Sequence, residues 1–280
     1  MGAVSLGGIK TLYAEMSEIK ASGRMPAIFV GHGSPMNAIE NNPYSMEWGK
    51  LGLSLPKPKA ILSISAHWLS YGNTKVTAME WPKTIHDFGG FPQALFDMQY
   101  PAPGSPEFAT QTIELLKNSH VLADQSWGLD HGTWSVLAKM YPKADIPVYQ
   151  MSIDYNKPIE YHFNLMQDLR LLRSKGVLVL GSGNIVHNLS QLKMTSTPFD
   201  WSLEFDSLIK SHIDKRDFIS VVNFQNSGSL AKMAHPTFDH FLPLIYILGL
   251  ADEKDSLSYF NEGFDLGSIS MRSVIFGGDV

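Results

Sequence analysis

Ala27-Ile-Phe-Val-Gly-His-Gly-Ser-Pro35 is the stretch from which the rest of the chain can be read. Its apolar run, Ala27 to Val30, has the length and composition of a buried strand, and the glycines around His32 free the backbone just after it. A strand built this way sets an imidazole at its C-terminal edge, where ligands collect in open α/β sheets. The same grammar returns in Ala60-Ile-Leu-Ser-Ile-Ser-Ala-His67-Trp68 and in Gly176-Val-Leu-Val-Leu-Gly-Ser-Gly-Asn-Ile-Val-His187. Three strand-like runs, each delivering a histidine at or just past its end, point to a metal.

Composition narrows the chemistry. The chain has 280 residues, 44% hydrophobic and 18% charged, which suits one large α/β domain with a substantial core. A net charge of -5 without a basic run argues against nucleic acid as a partner. No window approaches the roughly 18 consecutive apolar residues of a membrane span. There is no cysteine, so a tightly held transition metal has to use histidine or carboxylate. A cysteine-free chain is compatible with a reducing cytoplasm, the expected location. Met1 to Arg24 lacks an apolar signal-peptide core and is expected to be an extension with some helical content, ahead of a catalytic domain at 25–280. Its Met1-Gly2 start resembles a myristoylation site, but Leu6 stands where Ser or Thr is wanted. The expected assembly is a monomer or small homo-oligomer.

Along the chain, 37–50 is polar and predicts loop or short helix, and 53–59, with Pro56 and Pro58, an extended connection. Strands are predicted at 74–79, from His120, at 146–153, at 176–180 and, by clean alternation, at 269–276. Helices are predicted from the Ser105-Pro106-Glu107 start to Asn118, and at 135–140, 157–174 and 201–215, with one more from His235-Pro236 to Gly249. Pro243 should fall in the first turns of that last helix or kink it. Alternating strands and helices give an α/β fold: a single domain with a mixed, mostly parallel sheet and helices on both faces.

The ten histidines divide by context. His162 and His212 fall within helices expected to face solvent, and His120 opens a strand without a partner pattern. His32 and His67 stand on rigid strands, the better platform for ligands. His187 follows a Gly-Ser-Gly turn that lacks the Lys-Ser/Thr of a P-loop. His240, beside Asp239, enters an otherwise apolar helix, where a polar ring needs a partner. Thr84-Ile-His-Asp-Phe-Gly-Gly-Phe-Pro92 is too rich in glycine and aromatics for regular structure and too apolar for a solvated loop. It is read as pocket lining, which puts His86, Asp87, Phe88 and Phe91 beside a substrate. His131, in an Asp-His-Gly turn, is placed there too.

With these residues in view, the chain resembles the 4,5-DOPA extradiol dioxygenases, within the class III extradiol ring-cleavage dioxygenases. The resemblance rests on Gly31-His-Gly-Ser-Pro35, Ser65-Ala-His-Trp68, Ile85-His-Asp-Phe-Gly-Gly-Phe-Pro92 and Tyr100-Pro-Ala-Pro-Gly104. It continues in Trp127-Gly-Leu-Asp-His-Gly-Thr-Trp134, Gly183-Asn-Ile-Val-His-Asn188 and Pro236-Thr-Phe-Asp-His-Phe-Leu-Pro243, and so covers the chain from about residue 25 onward.

The resemblance implies that His32, His67 and His240 bind metal. It makes His187 either a ligand or the acid/base beside the metal, and His131 a residue near the substrate. Many class III relatives use two histidines and a glutamate; here His240 stands where the glutamate would be. An all-histidine site suits Zn(II) as readily as Fe(II). Ring opening needs Fe(II) with open positions for a deprotonated catechol and O₂, so three ligands with His187 as base is the favoured arrangement. The implied activity is extradiol opening of a DOPA-like catechol. A zinc-dependent hydrolase and a non-catalytic metal-binding interaction protein on the same scaffold remain the alternatives.

Overall fold

The runs that decided the sequence reading form the middle of one sheet. In the computed structural model, which describes residues 23–278, β1 (Ala27–Gly31), β2 (Ala60–Ser70), β7 (Val148–Asp154) and β8 (Val177–Gly183) pair in parallel in the order β7-β2-β8-β1. β3 (Lys75–Thr77) and β5 (Leu122–Asp124) extend one side. β12 (Ser273–Phe276) and β9 (Leu257–Phe260) extend the other side antiparallel, which completes eight strands in a mixed sheet. Two short ladders stand apart: β4 (Lys83–Thr84) with β6 (Gly128–Leu129), and β10 (Phe264–Asp265) with β11 (Ile269–Ser270).

The central strands are apolar throughout because both faces are covered. Side chains alternate between two cores. Ala27, Phe29, Leu62 and Val179 meet Phe163, Met166, Leu244 and Ile245 on one face. Ile28, Val30, Ile61 and Leu180 meet Trp48, Leu51, Trp134 and Leu137 on the other. The α/β architecture with helices on both faces is therefore as the sequence indicates.

Helix Leu242–Leu250 is buried on every side, between helix Ile159–Gln167 and the sheet. It reaches the sheet because β8 carries glycine below it. A Cβ on Gly181 would stand 2.6 Å from Pro243 O, and one on Gly183 only 2.2 Å from His240 O.

Several elements differ from the sequence reading. Residues 43–54 form a full helix, Pro43–Ser54, started by a reciprocal Asn42/Ser45 capping box. Its apolar stripe is thin, and it packs through Gly52, where a Cβ would lie 2.1 Å from Met140 O. The predicted helix 157–174 breaks into Ile159–Gln167 and Arg170–Ser174. No helix starts at His235: 235–241 form a turn and the helix begins at Leu242, with Pro243 in its first turn, where the missing N–H costs nothing. The helix predicted at 135–140 begins earlier, at His131, with Asp130 accepting from Thr133 N as its cap. Helix Pro106–Leu115 forms, but Ser105 makes no side-chain cap bond. His120 sits in a left-handed turn rather than a strand. The clean alternation of 269–276 is split between β11 and β12, and the sequence reading missed the edge strand β9.

The predicted extension at 1–24 lies outside the described residues except for Gly23 and Arg24, and so does the Met1-Gly2 start. Arg24 pairs with Asp252 and Asp255 on the folded body. No helix among the described residues is long and apolar enough to cross a membrane.

Candidate metal centre

Five of the ten histidines converge toward the C-terminal side of β1, β2 and β8. His32 continues β1 by one residue, its N–H donating to Gly183 O at 3.0 Å. His67 lies within β2, in the segment where the pairing with β7 shifts register between Ile64 and Leu69. His131 opens helix His131–Met140. His187 is tied by its N–H to Ala234 O and by a bridge to Ile269. His240 sits in the turn before Leu242, its carbonyl accepting from Asn184 N at 2.8 Å.

Hydrogen bonds settle how these rings face. Ser182 Oγ spends its proton on Gly132 O at 2.5 Å, so it accepts from His32 Nδ1 at 3.0 Å. Asp239 Oδ2 lies 2.5 Å from His240 Nδ1. Asp87 Oδ2 lies 3.4 Å from His67 Nδ1 and 3.0 Å from His131 Nδ1, neither contact aligned as a hydrogen bond. Asp87 Oδ1 also accepts from His131 N at 2.9 Å. A carboxylate or hydroxyl on Nδ1 leaves the lone pair on Nε2. His32 Nε2 and His67 Nε2 face each other at 3.3 Å; the Ser182 bond leaves the His32 nitrogen without a proton, and the Asp87 carboxylate near His67 Nδ1 favours the same tautomer there. Two nitrogens bound to one ion at about 2.0–2.1 Å in tetrahedral geometry stand about 3.3–3.4 Å apart, so the pair suits a cation held between them.

The electrostatics agree. Burial, then the neighbouring imidazoles, holds His32 and His240 well below the usual histidine pKa. Burial takes His67 down to about 3 and His187 to about 4. Neutral rings with free lone pairs are what a divalent ion requires. Burial pushes the Asp87 carboxyl upward, but the bonds and charge of His131, with His67, outweigh it and leave it below the ordinary carboxylate value.

The nitrogens of His32, His67 and His131 lie within 4.8 Å of one another. The His240 ring is centred 5.3 Å from His32 and 4.9 Å from His67. His187 stacks on His240 at 3.6 Å with the rings 2° from parallel. Its ring nitrogens have no hydrogen-bond partner among the described residues.

These rings form one pole of a cleft of about 460 Å³, whose other walls include Phe88, Phe91, Leu189, Leu192, Leu266 and Ile269. Of the four residues expected to touch substrate from the 84–92 loop, Phe88 and Phe91 line the cleft and two do not. His86 is turned away, with Nε2 2.9 Å from Met98 O, and Asp87 faces the histidines. That loop is fixed to the His131 helix by β4-β6 and by Trp134 Nε1 donating to Ile85 O at 2.8 Å.

His162 corrects the sequence reading, for it is fully buried, with Nδ1 2.8 Å from Tyr246 OH. The apolar helix Leu242–Leu250 covers that face, which the helical period of 157–174 alone did not reveal. His212 is partly exposed beside Asp217. His235 is buried behind the cleft, with Nε2 2.7 Å from Ile185 O. Ser182 and the leucines at 189, 192 and 266 were missed. Ser182 was visible as the middle of Gly-Ser-Gly, whereas the leucines carry no local signal.

A histidine-lined cleft at the C-terminal edge of a parallel sheet, walled by phenylalanines, has the make-up of an aromatic-handling metalloenzyme. Residues 26–270, which include every histidine of the cleft, match the catalytic LigB subunit of aromatic ring-opening dioxygenase; the chain belongs to that family and is an aromatic ring-opening dioxygenase. It is 48% identical over 265 residues to a 4,5-DOPA dioxygenase extradiol of Escherichia coli K12, covering 92% of this chain and 97% of that one. A protein of the same description from Beta vulgaris is 36% identical, covering 89% of this chain and 95% of its own. A crystal structure of an uncharacterized Escherichia coli K12 protein superposes with a TM-score of 0.79 at 41% identity, covering 91% of this chain and 100% of the other.

Proposed function

We propose that residues 25–280 form an extradiol dioxygenase unit that opens a catecholic, DOPA-like ring with O₂, using Fe(II) held by His32, His67 and His240. The observation that carries this reading is the bare Nε2 pair of His32 and His67, 3.3 Å apart beside an aromatic-walled cleft. Asp239, on His240 Nδ1, orients the third ring in the same sense. Fe(II) bound there would supply the redox link between a chelated catecholate and O₂, and Zn(II) could fill the same ligands without supplying it.

The protein's own residues do the rest. The His187 ring has no hydrogen-bond partner among the described residues and lies flat against His240, which leaves a nitrogen free to take a catechol proton and later return it. Burial keeps it unprotonated and ready to accept, while also lowering its basicity. His131, held by Asp87 from its backbone and ring sides, places a second imidazole against the substrate's hydroxyl edge. Phe88 and Phe91 pack against the ring and keep bulk water away. The cysteine-free sequence fits a reducing compartment, and the proposal includes a cytoplasmic location.

A second ligand set, His32, His67 and His131, is favoured by the mutual spacing of their nitrogens. His240→Ala and His131→Ala separate the two sets, since the true third ligand is the one whose loss empties the site.

To test the activity, the metal-free protein is loaded anaerobically with Fe(II) or Zn(II), mixed with DOPA and then given oxygen. The expected result is oxygen uptake with a yellow ring-opened product for iron alone. Equal turnover with zinc, or ester hydrolysis without oxygen uptake, would replace the dioxygenase reading with the hydrolase one.

A further inference from the structure

The face of β1, β2 and β8 that meets helix His131–Met140 starts apolar, with Ile28, Val30, Ile61, Leu178 and Leu180. Toward the histidines it turns polar, at Ser63, Ser65 and Ser182, all three fully buried. Buried hydroxyls need partners, and these find theirs in the first turn of the helix and in the histidines beside it. Ser63 Oγ lies 2.8 Å from Thr133 Oγ1, a bond between sheet and helix that touches no histidine.

Ser65 and Ser182 are register partners across β2 and β8, and each meets both Gly132 and one of the strand-borne histidines. Ser182 Oγ donates to Gly132 O at 2.5 Å and accepts from His32 Nδ1 at 3.0 Å. Ser65 Oγ accepts from His67 N at 3.2 Å. A Cβ on Gly132 would stand 2.4 Å from that same Oγ and 2.9 Å from His67 Cδ2, so the turn seats between the two serines only because it carries glycine there. Proton counting then decides the direction of the chain. Gly132 O has no proton, so the single hydroxyl hydrogen of Ser182 is committed to it and only a lone pair faces His32. His32 answers with Nδ1–H, which leaves its Nε2 bare.

We infer that Ser182 is a positioning residue for the metal centre: seated by Gly132, it fixes the tautomer and direction of the His32 ring, so that His32 Nε2 stands ready beside His67 Nε2 before an ion arrives. The inference rests on the reading of these histidines as a metal site. It adds that the first turn of the His131 helix, acting through a serine that touches neither metal nor substrate, takes part in setting the ligand geometry.

The test compares Ser182→Ala with Ser63→Ala in the full-length, metal-free protein. Each removes one buried hydroxyl bond to the same helical turn, and only the first touches a histidine ring. Long-range proton–nitrogen NMR of isotope-labelled histidine at neutral pH reads the His32 tautomer, with its signals assigned by their loss in His32→Gln. Calorimetry reads Zn(II) affinity. Ser63→Ala should lower Tm, keep His32 in its Nδ1–H form and leave Zn(II) affinity unchanged. Ser182→Ala should lose the pure Nδ1–H signature and bind Zn(II) about 10–100-fold more weakly. A His32 that keeps its tautomer in Ser182→Ala, or a Zn(II) affinity that stays at the wild-type value there, would overturn the inference. So would an equal loss of affinity in both variants, since the serines would then only seat the helix. A wild-type protein that takes up no Zn(II) would instead remove the metal-centre reading, and the His32 tautomer in Ser182→Ala would still decide whether Ser182 sets the ring.

Discussion

His32 and His67 are held by the sheet, whereas His187 and His240 are held by what packs on it. The first pair stands on β1 and β2, with backbone positions set by ladder hydrogen bonds and rings set by Ser182 and Asp87. The second pair rides on turns, with His240 O resting over Gly183 and His187 pinned through its own N–H to Ala234. A strand-borne ring is fixed before any ligand arrives, which suits a metal. Of the two turn-borne rings, His240 is oriented by Asp239 on its Nδ1, which suits a ligand. His187, with no side-chain hydrogen bond among the described residues, suits a group that takes up and releases a proton.

The largest effects should come from the strand-borne pair. His32→Ala and His67→Ala are each expected to lose nearly all bound metal and activity, because two remaining histidines hold a divalent ion poorly. Full metal occupancy by elemental analysis in either variant would remove that residue from the ligand set. The turn-borne pair can be attacked through the backbone instead. Gly183→Ala would drive a methyl to 2.2 Å from His240 O, and the turn must move. We expect a stability loss of about 1–3 kcal/mol and weaker metal binding with the fold retained. An unchanged metal affinity would show that His240 does not need its present seat.

Smaller still is the effect of the carboxylates. Asp239→Asn and Asp87→Asn keep the shape but weaken orientation, and each should lower metal affinity by about 10–100-fold. Asp239→Asn should act more strongly if His240 is the third ligand, and Asp87→Asn if His131 is.

The smallest effect on activity, and a clear one on stability, belongs to a histidine outside the cleft. Burial lowers His162 to about 4, so the folded chain takes that proton far later than the unfolded chain, whose histidine titrates near 6.5. The resulting stability is complete above about pH 6.5 and is lost as pH falls toward 4. His162→Gln, which can still bond Tyr246, should flatten the fall of Tm over that window and leave metal content unchanged. An identical pH slope in the variant would show that His162 does not contribute to it.

The same contrast explains what could be read in the sequence. Ala27–Val30 and Ala60–Ile64 announce themselves as strands, so His32 and His67 were placed on rigid elements from sequence alone. His240 was singled out but put on the wrong element, because Pro236 looks like a helix start while 235–241 is a turn. The capping box at Asn42 and Ser45 was written in the sequence, but the helix it starts was obscured by Gly49 and Gly52. The burial of His162 and the wall formed by Leu189, Leu192 and Leu266 depend on contacts between segments far apart in the chain, which no local pattern encodes.

The division of labour itself is tested most directly by His187→Gln loaded with Fe(II). Glutamine can hydrogen-bond but cannot shuttle a proton at neutral pH. This variant should keep its iron and bind a catechol under nitrogen with the spectrum of the wild-type complex. Once oxygen is admitted, it should open the ring roughly 10²–10⁴-fold more slowly. A His187→Gln protein that comes out iron-free, beside a His240→Ala protein that stays loaded, would exchange the two roles.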